Sequence, residues 1–452
     1  MKKITLPLLL ALAASAGFAQ QGADIVGRIV GGQKAAIAIP DFRGAGKAAN
    51  FVNTFNQTLF RDIEDAGVFK MAPKSMYPLA IPQRPEDFRK PLKYDANNRT
   101  RAPWLQDWSE PPVSSDFLAF GYTAEQDNQI VLFGWLFNVK QPEVSSAQVL
   151  GKIYHGTLDE DGARKVAHEF ATDILKQFGV ESLAGSKIYF VSNRSGSKEI
   201  WMMDYDGSNQ KQFTFYKNLI TMPNVSPDGT RLAFTSFTGG AGPSIVIHSL
   251  ETGRKIPFYN QRASMNATAS FTPNGKQIIY SSSASGWAQL YMANADGSNL
   301  QRLTNTRSIE VEPKINPKTG NEILFVSGRG GAQQLYKMNI DGADVTRLTT
   351  GEGEASNPAW NPQGSHMAFA WTRGYSPGNW NIFIMDVATR DYVQLTQGAG
   401  RNENPSWAPD GRHIVISSNR GGSTQIWSML ADGTQLRQLT SAGVNEKPVW
   451  TK

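Results

Sequence analysis

The chain has no cysteine, five histidines in 452 residues, and no apolar run approaching the ~20 residues that would span a bilayer. The missing cysteine excludes disulfides, thiol chemistry and a cysteine-linked lipid anchor. The missing apolar run predicts no membrane-spanning helix. Charge of one sign is also scarce: the net charge is +6, and Lys2 and Lys3 account for two of those charges. The remainder is spread along the chain, so no nucleic-acid interface is expected. Glycine and proline are abundant, with 42 and 24 residues, and 40% of residues are hydrophobic. That composition suits a globular chain of short strands joined by tight turns, long enough for two or three domains.

Residues 1–19 read as a secretory signal. Lys2-Lys3 supply the positive end, Ile4 to Ala14 the apolar core, and Gly17-Phe18-Ala19 a small-x-Ala cleavage site. Export to a bacterial periplasm is the expectation. Residues 20–34 then form an arm, Gly-rich and polar except around Asp24, Ile25, Val26, Arg28, Ile29 and Val30. It is either a frayed terminus or an extended segment able to add to a partner's sheet edge.

Residues 35–179 predict a small α/β domain. Ala36–Ile39 reads as a strand, followed by a helix with Phe51, Val52, Phe55, Leu59 and Ile63 on one face, closed by Gly67. Strands are predicted at Val68-Phe69, Phe117–Tyr122, Ile130–Val139 and Gln148–Ile153, and a second helix at Gly162–Phe178. This order suggests a mixed sheet with helices on one face. The Arg43-Gly44-Ala45-Gly46 loop lacks a following GKS/T or GxGxxG and reads as a plain connection. Residues 71–115 are Pro-rich and charged without a sustained period, so a solvated loop is expected there.

From residue 186 onward a unit of four short strands recurs. Its fullest copy is Asn402–Thr440, with turn signals at Pro409-Asp410-Gly411, Arg420-Gly421-Gly422 and Asp432-Gly433. The turn prolines Pro227, Pro273, Pro317, Pro362 and Pro409 recur every 44 to 47 residues. Four strands at that period mark a propeller blade, and six copies span 186–452. The first copy lacks its leading strand, whereas the chain ends on Lys447-Pro448-Val449-Trp450, matching Asn404-Pro405-Ser406-Trp407. The last strand is therefore expected to complete the first blade and close the ring, removing an open sheet edge.

The first strand of each blade should line the channel, with the preceding segment at one mouth. Those segments carry Met265, Asn266, Glu310, Glu312, Glu354, Asn357, Asn402, Glu403, Asn404, Asn445 and Glu446. They are either turn-favouring residues or an acidic, amide-rich ring suited to a cation, a positively charged loop or a backbone-recognising peptide contact. No cofactor is expected otherwise.

Catalytic motifs fail on inspection. Gly374-Tyr375-Ser376-Pro377-Gly378 matches G-x-S-x-G but falls in a predicted hairpin, with proline after the serine and no α/β segment to follow. His168-Glu169 opens an H-E-x-x-H motif that ends on Thr172 rather than histidine. The others (His155, His248, His366 and His413) are scattered, and Asp204-Tyr205-Asp206-Gly207 lacks the first calcium ligand of an EF-hand. An enzyme is not expected. The alternative is a secreted propeller hydrolase or lyase acting on a peptide or acidic sugar, which requires His, Arg or Ser clustered in the channel.

The repeat residues N-P-x-W-x-P-D-G, I-x-x-S-x-x-x-G, I-W-x-M-x-x-D-G and R-Q-L-T resemble the WD40-like propeller repeat of the TolB family. The resemblance covers nearly the whole mature chain: leader, α/β domain, six blades and terminal Pro-Val-Trp. It implies a periplasmic, non-catalytic component of the Tol–Pal system, which supports outer-membrane integrity and cell division. By the same resemblance, the channel mouth receives the lipoprotein Pal, and an arm at about Gln20–Gly32 contacts TolA. Occupancy of one site affects the other, and other outer-membrane or peptidoglycan-associated proteins are conceivable partners. The long insertion at 71–115 and the Gly-rich arm depart from the family pattern.

Overall fold

The computed structural model describes residues 34–90, 102–240, 242–398 and 400–452. The predicted signal and the arm residues Asp24, Ile25, Val26, Arg28, Ile29 and Val30 lie outside them. The described chain forms two compact units, one ending at Ala184 and the other running from Gly185 to Lys452.

The first unit is built on a mixed sheet. Its strands are β1 (Ala35–Ala38), β2 (Arg43–Gly44), β3 (Phe69–Met71), β4 (Phe117–Gln126), β5 (Gln129–Asn138) and β6 (Gln148–Thr157). They lie in the order β3-β1-β4-β5-β6, with β2 also on β4. β1 runs parallel to both β3 and β4, while β4, β5 and β6 form an antiparallel meander. Helices α1 (Val52–Asp65) and α2 (Glu160–Gln177) cover one face. Their i, i+4 apolar stripes bury Phe55, Leu59 and Ile63 from α1 and Val166, Phe170 and Ile174 from α2. Asp159 caps α2 by accepting the Gly162 N–H at 2.7 Å, and Glu160 and Asp161 complement the helix dipole. His168 Nδ1 meets Asp62 Oδ2 at 2.6 Å, so this histidine ties one helix to the other.

The opposite face corrects the expectation for 71–115. Ala72, Phe88, Trp104, Leu105, Trp108 and Val113 pack onto the sheet beside Phe120 and Phe137 as a second core. Phe88 stacks on Phe137 at 5.6 Å and meets Phe120 edge-on at 5.4 Å. Burying each such ring stabilises by about 1.5–3 kcal/mol. The described part of this insertion crosses the sheet in short turns, so its aromatics carry no helical or strand period for sequence analysis to detect.

The second unit is a closed ring of six four-stranded antiparallel sheets. Blade one joins Asn445–Thr451 at the inside to Lys187–Ser192, Glu199–Asp204 and Lys211–Gln212. The inner strands of blades two to six are Ile220–Val225, Asn266–Phe271, Glu310–Ile315, Ala355–Trp360 and Asn402–Trp407. Closure occurs where the sequence placed it: Asn445 pairs with Ser192 and Trp450 with Ile188, and the Trp450 indole donates to Ser186 Oγ at 2.9 Å.

The repeated residues now have causes. The threonine of the L-T pair follows the outer strand, and its hydroxyl accepts an N–H from the third strand. Thr304, Thr349, Thr396 and Thr440 do this for Leu290, Leu335, Ile382 and Ile426, each at 2.9 Å. The repeat tryptophan ties neighbouring blades, Trp360 Nε1 donating to Lys314 O at 3.0 Å and Trp407 Nε1 to Ala359 O at 3.1 Å. The D-G turn needs glycine twice over: Gly342 has φ +91°, and a Cβ there would sit 2.6 Å from Leu303 O of the preceding blade.

Candidate functional site

Each inner strand carries a β-bulge between its second and fifth residues. The third residue of each is left-handed although none is glycine: Met222, Thr268, Glu312, Asn357, Asn404 and Lys447 have φ between 53° and 55°. In five blades the fourth residue is proline, which has no N–H to lose from the ladder. The N–H freed at the third position is satisfied across blades. Asn357 N donates to Glu312 Oε2 at 2.7 Å, Asn404 N to Asn357 Oδ1 at 3.3 Å, and Lys447 N to Ser417 Oγ at 3.0 Å. The six bulge residues line a channel cavity of about 350 Å³ bounded by all six inner strands.

Geometry sorts the sequence-predicted residues into three groups. Glu312, Asn357 and Asn404, expected in segments at the mouth, are bulge residues inside the inner strands and line the cavity. Met265, Glu354, Glu403 and Glu446 sit at or just before the starts of the inner strands, half-buried except for the exposed Glu354, and do not line the cavity. Asn266, Glu310, Asn402 and Asn445 are a correction: they open the inner strands, are 0–3% exposed, and offer no surface to a partner. Their polar groups act inside the blades. Glu310 accepts from Thr306 and Ser327 hydroxyls at 2.8 and 3.0 Å and pairs with Arg329 at 3.0 Å. Asn402 Oδ1 accepts from Ser418 Oγ and Arg420 Nη2, both at 2.8 Å. Asn445 accepts from Arg194 Nη2 at 3.0 Å and donates to Gln425 Oε1 at 2.7 Å.

The acidic ring is corrected too. Glu403 forms two bonds of 2.9 Å with Arg401, which raise the arginine's pKa, and Glu446 meets Lys198 at 2.5 Å. Sequence analysis could not place these cations, because Lys198 lies some 250 residues from Glu446. Inside the channel Lys314 and Lys447 face a single carboxylate, that of Glu312. This balance repels a cation, so the expected cation is not supported. Among the described residues no cluster of three or more His, Asp or Glu could hold a metal.

Sequence analysis missed Met222, Thr268, Lys314 and Lys447 as channel-lining side chains. A usable signal existed: the residue before the repeat proline is the bulge residue in five blades. It also missed the aromatics of the mouth-bearing face. Second strands end at this face, so the hairpins leaving them sit there with the connections into each inner strand. Phe237 and Trp287 project from such hairpins in blades two and three, and Phe215 from the connection into blade two; they are 39%, 51% and 71% exposed.

No catalytic constellation lines the cavity, which contains no histidine. His155 and His168 belong to the first unit. His248 bonds Tyr216 at 2.7 Å, His366 bonds Ser365 at 2.8 Å, and His413 bonds Asp410 at 2.5 Å. Residues 374–378 form a turn between two strands of blade five, as expected. No helix among the described residues is long and apolar enough to cross a membrane.

A family model described as the TolB beta propeller domain matches residues 176–370 and 351–452. The TolB homolog of Chlorobium luteolum is 30% identical over 322 residues, 70% of this chain and 68% of that protein. The homolog of Chlorobium chlorochromatii is 36% identical over 207 residues, and the match spans only 44% of its length. The Tol-Pal system protein TolB of Bordetella pertussis is 31% identical over 206 residues, 45% of each chain. The crystal structure of TolB from Acinetobacter baumannii superposes with a TM-score of 0.76 at 21% identity, covering 93% of this chain and 97% of that one. With a propeller match over more than half its length and the same two-part fold, the chain belongs to the TolB family.

Proposed function

We propose that the protein is a non-catalytic periplasmic docking component of a Tol–Pal system. In this reading the mouth-bearing face of the propeller receives the lipoprotein Pal, and the arm at residues 20–32 contacts TolA. The two contacts together support outer-membrane integrity and cell division. The observation that carries it is the set of exposed aromatics Phe215, Phe237 and Trp287 on the propeller face where the inner strands begin. The few residues that dominate binding energy at protein interfaces are enriched in aromatics, so exposed rings on one face are candidate anchors. Around them Met265, Glu354, Glu403 and Glu446 form the polar rim, and Glu312, Asn357 and Asn404 the floor. A hydrolase or lyase is the less favoured reading, because the cavity lining contains no histidine and its one carboxylate, Glu312, is held by Ser356 and Asn357.

Titration of the cognate Pal into the wild-type chain, Phe237→Ala and Trp287→Ala tests the surface. Loss of affinity in both variants with unchanged thermal stability is expected. Equal affinity in all three proteins would remove this face as the docking site.

A further inference from the structure

We propose that the propeller channel is an oxyanion site, in which Lys314 and Lys447 bind a carboxylate or phosphate group. The proposal goes beyond the docking reading and does not depend on it.

In two blades the side chain of the inner strand's fifth residue links to the next blade. Asn224 Oδ1 accepts the Phe271 N–H of the next blade at 3.1 Å, and Ser406 Oγ accepts that of Trp450 at 3.0 Å. In blade four this position is Lys314, which has no acceptor to offer. The link to the next blade is made there by the main-chain carbonyl of Lys314, which receives the Trp360 indole. The lysine side chain is thus released from holding the ring together.

Its ammonium has no hydrogen bond or ion pair among the described residues. Glu312, the one carboxylate lining the cavity, is already committed to blade five. It accepts from Asn357 N at 2.7 Å and from Ser356 Oγ and Asn357 Nδ2, both at 3.1 Å. Lys447, the bulge residue of blade one, likewise lacks an acidic partner. Burial lowers the Lys314 pKa, an effect that Glu312 opposes and the charge of Lys447 reinforces. Two ammonium groups within electrostatic reach and one saturated carboxylate leave the cavity net positive. An enclosed, unpaired charge is expensive unless a ligand neutralises it. The cavity of about 350 Å³ accommodates an acidic side chain or an inorganic oxyanion, and the Ser406 hydroxyl lines the same space.

Inorganic phosphate and N-acetylglutamate amide are titrated separately into the full chain at constant ionic strength, with chloride as the reference anion. Saturable binding is expected, weakened on the order of tenfold in Lys314→Met and in Lys447→Met and unchanged in the exposed Lys255→Met control. Binding of phosphate alone identifies a free oxyanion as the ligand. Binding of the glutamate amide identifies an acidic side chain of a docked protein. Absence of saturable binding by both probes, or equal affinity in wild type and both lysine variants, overturns the proposal. Neither probe contains Pal, so failure here leaves the docking surface standing.

Discussion

Blades one, four and six differ from blades two, three and five at the first residue of the inner strand. In the former set Asn445, Glu310 and Asn402 each receive an arginine from the hairpin after the second strand. The three arginines are held alike. Each Nε donates to the serine two residues earlier at 3.0 Å, and each guanidinium lies over an aromatic ring of its own blade. Those rings are Trp201, Tyr336 and Trp427, at 4.5, 5.2 and 5.2 Å. In the latter set the first residues are Ile220, Asn266 and Ala355, and among the described residues none of them receives an arginine. Arg373 of blade five still lies over Trp371 and Tyr392, at 5.0 and 5.5 Å. Blades two and three have Thr238 and Ala284 at the arginine position, and their hairpins carry Phe237 and Trp287 into solvent. One part of the mouth rim is therefore pinned by cation–π and charged hydrogen bonds, and another part presents apolar surface. A docking protein needs both: a rigid frame that costs little entropy to bind, and aromatic anchors to supply the affinity.

Glu310→Ala should have the largest effect. It leaves Arg329 without its carboxylate and the Thr306 and Ser327 hydroxyls without their acceptor, costing about 3 kcal/mol in urea unfolding. Next, Arg420→Met removes the clamp of blade six and should cost about 2 kcal/mol. Trp287→Ala should separate stability from binding. Partner affinity falls by about 2 kcal/mol, while the unfolding midpoint shifts by less than about 0.5 kcal/mol. If Trp287→Ala instead destabilised as much as Arg420→Met, the division between a pinned and a presenting rim would fail. Asn266→Ala, in an unclamped blade, should cost only about 1 kcal/mol, because its amide makes a single bond to Gln261 O at 2.9 Å.

The smallest effect is a slope. Lys314 holds its proton less tightly folded than unfolded, so between its lowered pKa and the ordinary 10.5 the unfolded chain binds more protons. Wild-type stability should therefore gain on that of Lys314→Met as pH rises through this window. Parallel unfolding curves for the two proteins across it would contradict the burial of the charge.

Much of this was legible in advance. The six copies, the turn glycines and the Trp450 match specified the blades and their closure, because each depends on local turn chemistry or strand alternation. Asp62 with His168 and Glu446 with Lys198 were not legible, since each pair joins distant parts of the chain. Trp104 and Trp108 also escaped, because irregular backbone leaves no period. Glu312, Asn357 and Asn404 were singled out but line the cavity from within the inner strands, and Glu310, Asn402 and Asn445 were assigned to the surface although they are buried. Sequence spacing gives a residue's place along a strand but not the side to which a bulge turns it.

The sequence by itself determined the six-bladed ring and its clasp at Lys447-Pro448-Val449-Trp450. Propeller repeats are stamped on the chain by turns of fixed length. Only the tertiary structure decided which inner-strand residues face the channel and which carboxylates are neutralised. It also decided that two lysines line the cavity without an ion-pair partner among the described residues. Those outcomes depend on side chains from different blades converging on one axis, and the bulge that directs them is a property of the closed ring.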